Sequence, residues 1–303
     1  MSTLTAMSEF RAAGTDLSER RRTGVSRGPI VDLVASIETT GIVWGSDGAA
    51  RIGASTSIAT IAADAQVARA YPGLAAAAAG LATPQIRHLA TVGGNLAQRS
   101  RCWYFRNPHF SCFKKGGSHC PSRAGNHLYG VAFDLGPCVA PHPSTLAAAL
   151  LAHDATVTTG KRSGLSIAEL LGDGSNAASD HALQPGEAIA SIQLAPPLAN
   201  ERAFYKRAIS RTHAEWPLVE LVVRAVVAGG KFEKAFIAAG GIAPVPLRLT
   251  GTERAITGMP ATAATADAAA KAATAGAKPL PMTGYKLDLL QGLVRDLLGR
   301  FAG

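Results

Sequence analysis

The spacing of apolar and polar residues divides the chain into a stretch of short strands, an alanine-rich helical stretch and a mixed remainder. Between residues 10 and 60, short apolar runs alternate with glycine turns, as in "IVDLVASI", "GIVWGSDG" and "ARIGASTS". This rhythm predicts strands and turns, with a hairpin turn at Asp47-Gly48. Residues 57–82 are alanine-rich and are interrupted at Pro72-Gly73, which predicts two short helices.

The second half of the pattern predicts a helix, several strands and two C-terminal helices. "HPSTLAAALLAHDATVTTG" predicts a helix capped near Ser144 that leads into a strand, and "EAIASIQLAPP" predicts a strand that stops at Pro196-Pro197. Beyond these prolines come a strand or helix "WPLVELVVRAVVAG", a strand "KAFIAAGGIAPVPLR", a helix around 261–277 and an amphipathic helix "YKLDLLQGLVRDLLGRF". The proline pair is the predicted boundary between two domains, 1–198 and 199–303.

Composition supports a globular protein of about two domains. The 303 residues are 47% hydrophobic and 17% charged, and the longest apolar runs fall short of the roughly 18 residues that span a bilayer. The N-terminus does not have the pattern of a secretory signal, which predicts a cytoplasmic protein, or a periplasmic one if a signal-bearing partner exports it. The net charge is +9, but the basic residues are scattered. We therefore expect a basic face for a partner protein or an anionic cofactor, and no nucleic acid.

All four cysteines of the chain lie in one segment, at Cys102, Cys112, Cys120 and Cys138. Disulfide frameworks belong mainly to small secreted domains, and independently buried cysteines would be scattered along the chain. Grouped thiols favour a metal site, and both zinc and iron–sulfur clusters accept four thiolates. The spacing does not decide between them. The flanking side chains expected to offset thiolate charge are Arg101, Lys114, Lys115 and Arg123, whereas His109, His119 and His127 are expected not to be ligands.

Two glycine-containing stretches could expose backbone amides to a phosphate. These are "AAGTDL" at residues 12–17 and "TVGGN" at residues 91–95, with Thr15, Thr91 and Asn95 as additional donors. Each stretch is by itself also consistent with an ordinary turn. The dinucleotide-binding pattern G-x-G-x-x-G and the P-loop pattern do not occur, so neither of those sites is predicted.

Together, these features resemble a known family. "RAAGTDLSERRR", "RIGASTSIATI", "LATPQIRHLATVGGNLAQ", "HPSTLAAALLAHDATV", "FYKRAISR" and "GGIAPVPLRLTGTERAITG" follow the order seen in the FAD-binding subunit of the molybdenum hydroxylases. This group contains xanthine dehydrogenase, aldehyde oxidoreductase and carbon monoxide dehydrogenase. The cysteine segment, at about 101–138, resembles the insertion of the subset with an extra [4Fe-4S] cluster, as in bacterial aldehyde oxidoreductase.

The resemblance implies an α+β fold: a two-subdomain FAD-binding domain of the PCMH/CO dehydrogenase flavoprotein type with an iron–sulfur insertion, and a small α+β C-terminal domain. It implies that FAD contacts the following residues: Arg11, Ala12, Ala13, Gly14, Thr15, Asp16, Leu17, Thr91, Val92, Gly93, Gly94, Asn95, Thr145 and Lys206. It implies that the four cysteines bind the [4Fe-4S] cluster. No catalytic side chain is expected.

The implied function is electron transfer in a heterotrimeric oxidoreductase of the aldehyde or N-heterocycle (xanthine) type. Electrons would pass from a large molybdenum-cofactor subunit through a small [2Fe-2S] subunit to FAD in this chain, and then to an external acceptor. The sequence departs from the family at Ala13, where glycine is usual, and at Thr145, where aspartate is usual; the stretch before "AAGTDL" is also short. Two alternatives stay open: a zinc-stabilised binding or regulatory protein, and a cluster-bearing subunit that has lost FAD.

Overall fold

A small parallel sheet begins the part of the chain that the computed structural model describes, residues 8–210 and 215–302. Strand β1 (Glu9–Arg11) pairs in parallel with β2 (Ile30–Asp32), and helix α1 (Leu17–Arg22) lies between them in sequence. A parallel pair requires a crossover connection, and α1 supplies it. The loop of residues 12–16 is therefore held at the end of β1 and at the start of α1.

The second sheet has five strands in the order β3-β4-β7-β5-β6. Its strands are β3 (Ile42–Trp44), β4 (Ala50–Gly53), β5 (Thr156–Thr159), β6 (Leu165–Ser166) and β7 (Ile189–Leu194). All neighbours are antiparallel. The Asp47-Gly48 turn joins β3 to β4 as predicted, and Gly48 has a φ of +87°, a conformation that favours glycine.

Short helices connect and cover this sheet. They are α2 (Ile58–Ala63), α3 (Ala65–Ala70), α4 (Pro72–Gly80), α5 (Pro84–Leu89), α6 (Val92–Leu96), α7 (Trp103–Arg106), α8 (Pro121–Ala124), α9 (Thr145–Ala152) and α10 (Ile167–Leu171), with a 3-10 turn at Phe113–Lys115. The prediction of two helices over residues 57–82 was wrong, because there are three. Asp64 caps α3 by accepting from two backbone amides, and Pro72 occupies the first position of α4. The cap at Ser144 is confirmed.

The C-terminal part is a four-stranded antiparallel sheet with three helices. Its strands are β8 (Glu201–Ala208), β9 (Val219–Ala228), β10 (Lys231–Gly240) and β11 (Leu247–Arg248), in the order β11-β10-β9-β8. The helices are α11 (Thr250–Ile256), α12 (Ala263–Ala273) and α13 (Tyr285–Gly299). The segment left open as strand or helix is β9, where five valines favour the pleated conformation.

The C-terminal sheet is covered on both faces, and this brings the two parts of the molecule together. Alternate residues of β9 point to opposite faces. Val222 belongs to the core of α4, α9 and the five-stranded sheet, whereas Leu221 and Val223 belong to the core with α12 and α13. The start of α9 therefore lies beside β8 and β9. The mixed α+β fold is confirmed, and none of the described helices has the length and apolarity that crossing a bilayer requires.

Candidate functional site

The loop between β1 and α1 carries a row of free backbone amides. Among the described residues, no hydrogen bond is donated by the amides of residues 12–16. Gly14 has a φ of +74°, and a Cβ there would lie 2.9 Å from Ser18 Oγ. Successive amides around a left-handed residue form a concave, electropositive surface that suits an anion. Ala13 is exposed and does not adopt positive φ, so its methyl group costs no backbone strain.

The second glycine stretch is a capped helix and not an open turn. The side chain of Thr91 accepts a hydrogen bond from the Gly94 amide at 3.1 Å. The Val92 and Gly93 amides donate to carbonyls of residues 56 and 54, and the Asn95 amide donates to the Thr91 carbonyl. The predicted amide donors here are thus already occupied. Gly93 packs so closely on Ala54 that a side chain at position 93 would not fit, which accounts for glycine at this position. The side chain of Asn95 is held by a hydrogen bond, because its Oδ1 accepts from Ser144 Oγ at 2.6 Å.

Part of each stretch lines a cavity of about 210 Å³. Residues of the predicted site in its lining are Thr15, Asp16, Gly94, Asn95 and Thr145. Further lining residues that sequence reasoning did not place there include Gln98, Arg101, Arg207 and Trp216. A second cavity of about 570 Å³ adjoins it and shares Arg101 and Trp216. The Arg101 guanidinium lies 4.5 Å from the centre of the Trp216 ring, between the two cavities.

Asp16 joins this loop to the cysteine segment through guanidinium groups. Arg106 Nη2 lies 2.6 Å from Oδ1 and Arg20 Nε lies 3.1 Å from Oδ2, while Arg101 also pairs with Oδ1. Burial alone would raise the pKa of this carboxyl, but the guanidinium groups of Arg101 and Arg106 hold it at about 2. Arg101 is therefore engaged by Asp16, and the expectation that it balances thiolate charge is not supported.

A buried carboxyl group lies behind Thr145. Thr145 is close enough to Glu220 and Tyr205 to lower the pKa of each, and Tyr205 donates to Glu220 at 3.0 Å. Although position 145 lacks the aspartate usual in the family, a carboxyl group is present beside it. Sequence reasoning missed Glu220; the signal was a single acidic residue inside the apolar run "PLVELVV".

Nine predicted contacts are not in the cavity lining: Arg11, Ala12, Ala13, Gly14, Leu17, Thr91, Val92, Gly93 and Lys206. Lys206 forms an ion pair with Asp296 of α13 at 3.0 Å, because alternation along β8 directs Lys206 and Arg207 to opposite faces. Arg207 is the β8 side chain that reaches the cavity. Arg11 pairs with the exposed Asp32 at 2.5 Å, and Leu17 is buried in the packing of α1.

The four cysteines are all free thiols, and pairs of them interact electrostatically. Cys120 and Cys138 share a hydrogen bond, and Cys102 lies within electrostatic range of Cys112 and Cys120. Burial raises the pKa of Cys102. The hydrogen bond from Cys138 lowers the pKa of Cys120 below its usual range. The first and the last of these thiols, at residues 102 and 138, are 36 positions apart in the sequence.

Backbone groups act on the pKa values of three of these thiols. Cys102 and Cys120 are the N-cap residues of α7 and α8, and neither side chain accepts a hydrogen bond from its helix. Backbone groups of residues 104 and 105 lower the pKa of Cys102, those of 122, 123 and 139 lower the pKa of Cys120, and that of Ala140 lowers the pKa of Cys138. Backbone groups that stabilise thiolate also tune the metal clusters that thiolates bind.

The predicted charges around the cysteines divide into two groups. Lys114 acts on Cys138 and also forms a buried ion pair with Asp180 at 2.7 Å, while Arg123 lies in range of Cys120 and Cys138. Lys115, in contrast, donates to the carbonyl groups of Tyr104 and Asn107. His109 and His119 are exposed, and His127 is bonded to backbone groups.

No group of three or more His, Cys, Asp or Glu side chains within residues 8–210 and 215–302 is arranged to hold a metal ion. The [4Fe-4S] ligand set therefore stays a prediction.

The comparisons with known proteins cover nearly the whole described chain. Residues 8–197 match the family model "FAD binding domain in molybdopterin dehydrogenase", and residues 203–301 match "CO dehydrogenase flavoprotein C-terminal domain". The aldehyde oxidoreductase FAD-binding subunit PaoB of Escherichia coli K12 is 30% identical over 252 residues, 81% of this chain and 78% of the relative. The xanthine dehydrogenase FAD-binding subunit of Escherichia coli O157:H7 is 43% identical over 67 residues, 22% of this chain and 23% of the relative.

Two solved structures have the same fold at low sequence identity. Carbon monoxide dehydrogenase from Hydrogenophaga pseudoflava superposes with a TM-score of 0.74 at 21% identity, covering 97% of this chain and 89% of that chain. Quinoline 2-oxidoreductase from Pseudomonas putida 86 gives a TM-score of 0.75 at 18% identity, with the same coverage.

Proposed function

Because this chain belongs to the family of FAD-binding subunits of the molybdenum hydroxylases, which are oxidoreductases, we propose that it holds FAD in the cavity beside residues 12–16 and transfers electrons. The observation that carries the proposal is the row of free amides at residues 12–16, of which Thr15 and Asp16 line that cavity. FAD has an anionic diphosphate, which such amides suit. Arg101 and Arg207 in the lining add positive charge.

The protein's own contribution would be binding and orientation. FAD supplies the electron exchange when it is bound. The β1–α1 loop would hold the diphosphate, and Asn95 and Thr145 would offer polar groups to the ribityl chain. Trp216 and the apolar residues Leu81 and Ile86 would exclude water from the ring system. Lys206 is not needed in this arrangement because Arg207 occupies the lining.

We infer that the electrons come from other subunits and leave to an external acceptor. A large molybdenum-cofactor subunit would oxidise the substrate, and a small [2Fe-2S] subunit would pass electrons to this chain. The 30% identity to an aldehyde oxidoreductase subunit favours an aldehyde, with an N-heterocycle as the other candidate. The net charge of +9 suits acidic partner surfaces. The compartment, cytoplasm or periplasm, would be decided by whether a partner carries an export signal.

We further propose that Cys102, Cys112, Cys120 and Cys138 bind a [4Fe-4S] cluster close to the flavin. The support is the grouping of four free thiols in one segment, the electrostatic interactions between pairs of them, and the position of Lys114 and Arg123 within electrostatic range of Cys138. A [4Fe-4S] cluster is larger than a single ion, so its ligands need not converge on one point. Asp16 links the flavin loop to Arg101 and Arg106 on either side of Cys102.

The FAD proposal is tested by a pair of neighbouring substitutions. Gly14→Val places a branched side chain at φ +74° and should remove most of the bound flavin, while Ala13→Gly should retain it. Flavin is measured by absorbance after release from the folded protein. Equal flavin in Gly14→Val and wild-type protein would contradict the proposed site, and flavin-free wild-type protein that keeps its cluster would favour the subunit that has lost FAD.

The cluster proposal is tested by metal content under anaerobic purification. Cys112→Ser should lose the iron, and His119→Ala should keep it because His119 is exposed. About four iron atoms per chain are expected in the wild type. Wild-type protein that contains zinc in place of iron would support the zinc-stabilised alternative for this segment.

A further inference from the structure

Glu220 is a carboxyl group enclosed between the two parts of the molecule, one hydroxyl group away from the cavity. It is 1% exposed and lies on β9, and its Oε2 accepts a hydrogen bond from Tyr205 at 3.0 Å. Thr145, at the start of α9, is close enough to the same carboxyl group to lower its pKa, and Thr145 also lines the cavity. This arrangement places a buried acid next to a side chain of the cavity wall.

The groups that face Glu220 leave its charge uncompensated. Strand β8 contributes Tyr205 and Arg207, α9 contributes Thr145, and β10 contributes Gly240, where a Cβ would lie 2.5 Å from Oε1. Within residues 8–210 and 215–302, no basic side chain forms an ion pair with Glu220, and Arg207 acts on it only from a distance. Burial raises the pKa of Glu220 to about 7, and the hydrogen bonds from Thr145 and Tyr205 offset only part of this effect.

We propose that Glu220 takes up and releases a proton, through the Thr145 hydroxyl, as electrons enter and leave the cavity. This inference rests on the proposed function, which places a flavin there. When two electrons arrive, one proton from solvent forms an O–H bond at the Glu220 carboxylate. When the electrons leave for the external acceptor, that bond breaks and the proton returns to solvent. The Thr145 hydroxyl gives its own proton to Glu220 and regains one from the cavity, so no other reagent is consumed.

The physical reason is the cost of a second negative charge in a buried site. Electrons add negative charge beside a carboxylate that water does not screen, and such a like charge favours the protonated acid. A carboxyl group whose pKa lies near physiological pH changes its protonation after only a small change in the local electrostatic potential. Glu220 acts through Thr145 and is a positioning residue, not a catalytic one.

The test is the pH dependence of the flavin midpoint potential in the full chain. Wild-type protein is compared with Glu220→Gln, which keeps the shape of the side chain but cannot take up the proton. Glu233→Gln is the matched control, since Glu233 is an exposed glutamate of β10. In the neutral range, the wild type and the control should have a slope about 30 mV per pH unit steeper than Glu220→Gln, because one more proton accompanies two electrons.

A second measurement does not depend on how the variant folds. Infrared difference spectra of wild-type protein with ¹³C-labelled glutamate, reduced minus oxidised, should contain the C=O stretch of a carboxyl group that becomes protonated. Equal slopes in wild-type protein and Glu220→Gln, or the absence of a label-sensitive carboxyl band, would overturn the inference while leaving the flavin site intact. Wild-type protein that neither retains nor rebinds flavin would instead contradict the proposed function, and with it this inference.

Discussion

Asp16 holds together the β1–α1 loop and the start of the cysteine segment. Its two carboxylate oxygens contact Arg20, Arg101 and Arg106, and Oδ2 also accepts from the Arg99 amide at 3.1 Å. With a pKa of about 2, the carboxylate is charged at neutral pH. Removing the charge would leave several guanidinium groups without their partner.

We therefore expect Asp16→Asn to lower the free energy of unfolding by about 3 kcal/mol, the magnitude typical of breaking a buried ion pair. It should also lower flavin content, because the loop would lose its link to the cysteine segment. Urea unfolding followed by circular dichroism gives the first quantity. Asp32→Asn is the control: the Arg11–Asp32 pair is exposed, so no measurable change in stability is expected. Equal effects of the two substitutions would contradict this role for Asp16.

Glu220 gives the stability of the folded chain a definite pH dependence. Its pKa is raised from 4.5 to about 7, so between these values the folded protein binds more protons than the unfolded chain. The contribution to stability is complete below about pH 4.5 and is lost as the pH rises through about 7. Glu220→Gln lacks this term and should gain about 3 kcal/mol relative to wild type across that interval. Denaturation curves of both proteins at pH 5 to 8, as chosen assay conditions, measure the difference, and parallel curves would contradict the pKa.

At the scale of elements, helix α6 packs closely on Ala54, directly after β4, because Gly93 has no side chain. A Cβ at this position would lie 2.8 Å from Ala54 Cβ and 3.0 Å from its carbonyl oxygen, both in the core. Gly93→Ala should therefore cost about 1–3 kcal/mol through overpacking and displace Asn95 from the cavity wall. Gly292→Ala is the control in α13, where nothing lies near the added methyl group, and it should be neutral or stabilising by up to about 1 kcal/mol. Similar thermal shifts in the same direction for both variants would contradict the packing argument.

Periodicity predicted the elements that have strong local signals. The Asp47-Gly48 hairpin, the Ser144 cap and the strand before Pro196 follow from local chemistry, and all three are present. The pattern did not separate α2 from α3, because the break depends on Asp64, a cap inside a continuous alanine-rich run. It also could not predict that the amides of residues 92–95 are occupied by partners near residues 54–56, because that pairing is a tertiary contact.

The site was predicted in outline and missed in its tertiary contacts. Thr15 and Asp16 of the first glycine stretch line one cavity with Gly94 and Asn95 of the second, whereas cluster binding by the four cysteines stays a prediction. Arg207 lines the cavity in place of the predicted Lys206, which pairs with Asp296. The face to which a strand residue points depends on register, and the sequence did not determine that register. Glu220 is distant from Thr145 along the chain, and only the packing of β9 on α9 brings them together.

At the scale of the whole molecule, Arg224 joins the C-terminal sheet to α9. Its side chain is 8% exposed, pairs with the buried Glu201 at 2.9 Å and donates to the Ala152 carbonyl at 3.1 Å. Arg224→Met should lower the free energy of unfolding by about 3 kcal/mol and loosen the sheet from α9. Hydrogen exchange of the α9 amides would report that loosening. Arg295→Met, which breaks the exposed pair with Asp267, should change neither quantity. Unchanged exchange in Arg224→Met would contradict this role and leave Arg248, which donates to the Leu151 carbonyl at 3.2 Å, as the arginine that joins the sheet to α9.

Electron transfer by this chain requires that it holds one cofactor, FAD. The most direct measurement is the FAD content of the full-length folded protein, determined by chromatography of the released flavin against protein concentration. We expect about one FAD per chain, either retained on purification or recovered by adding FAD to the folded protein. A correctly folded chain that retains no flavin and does not bind added FAD would contradict the account.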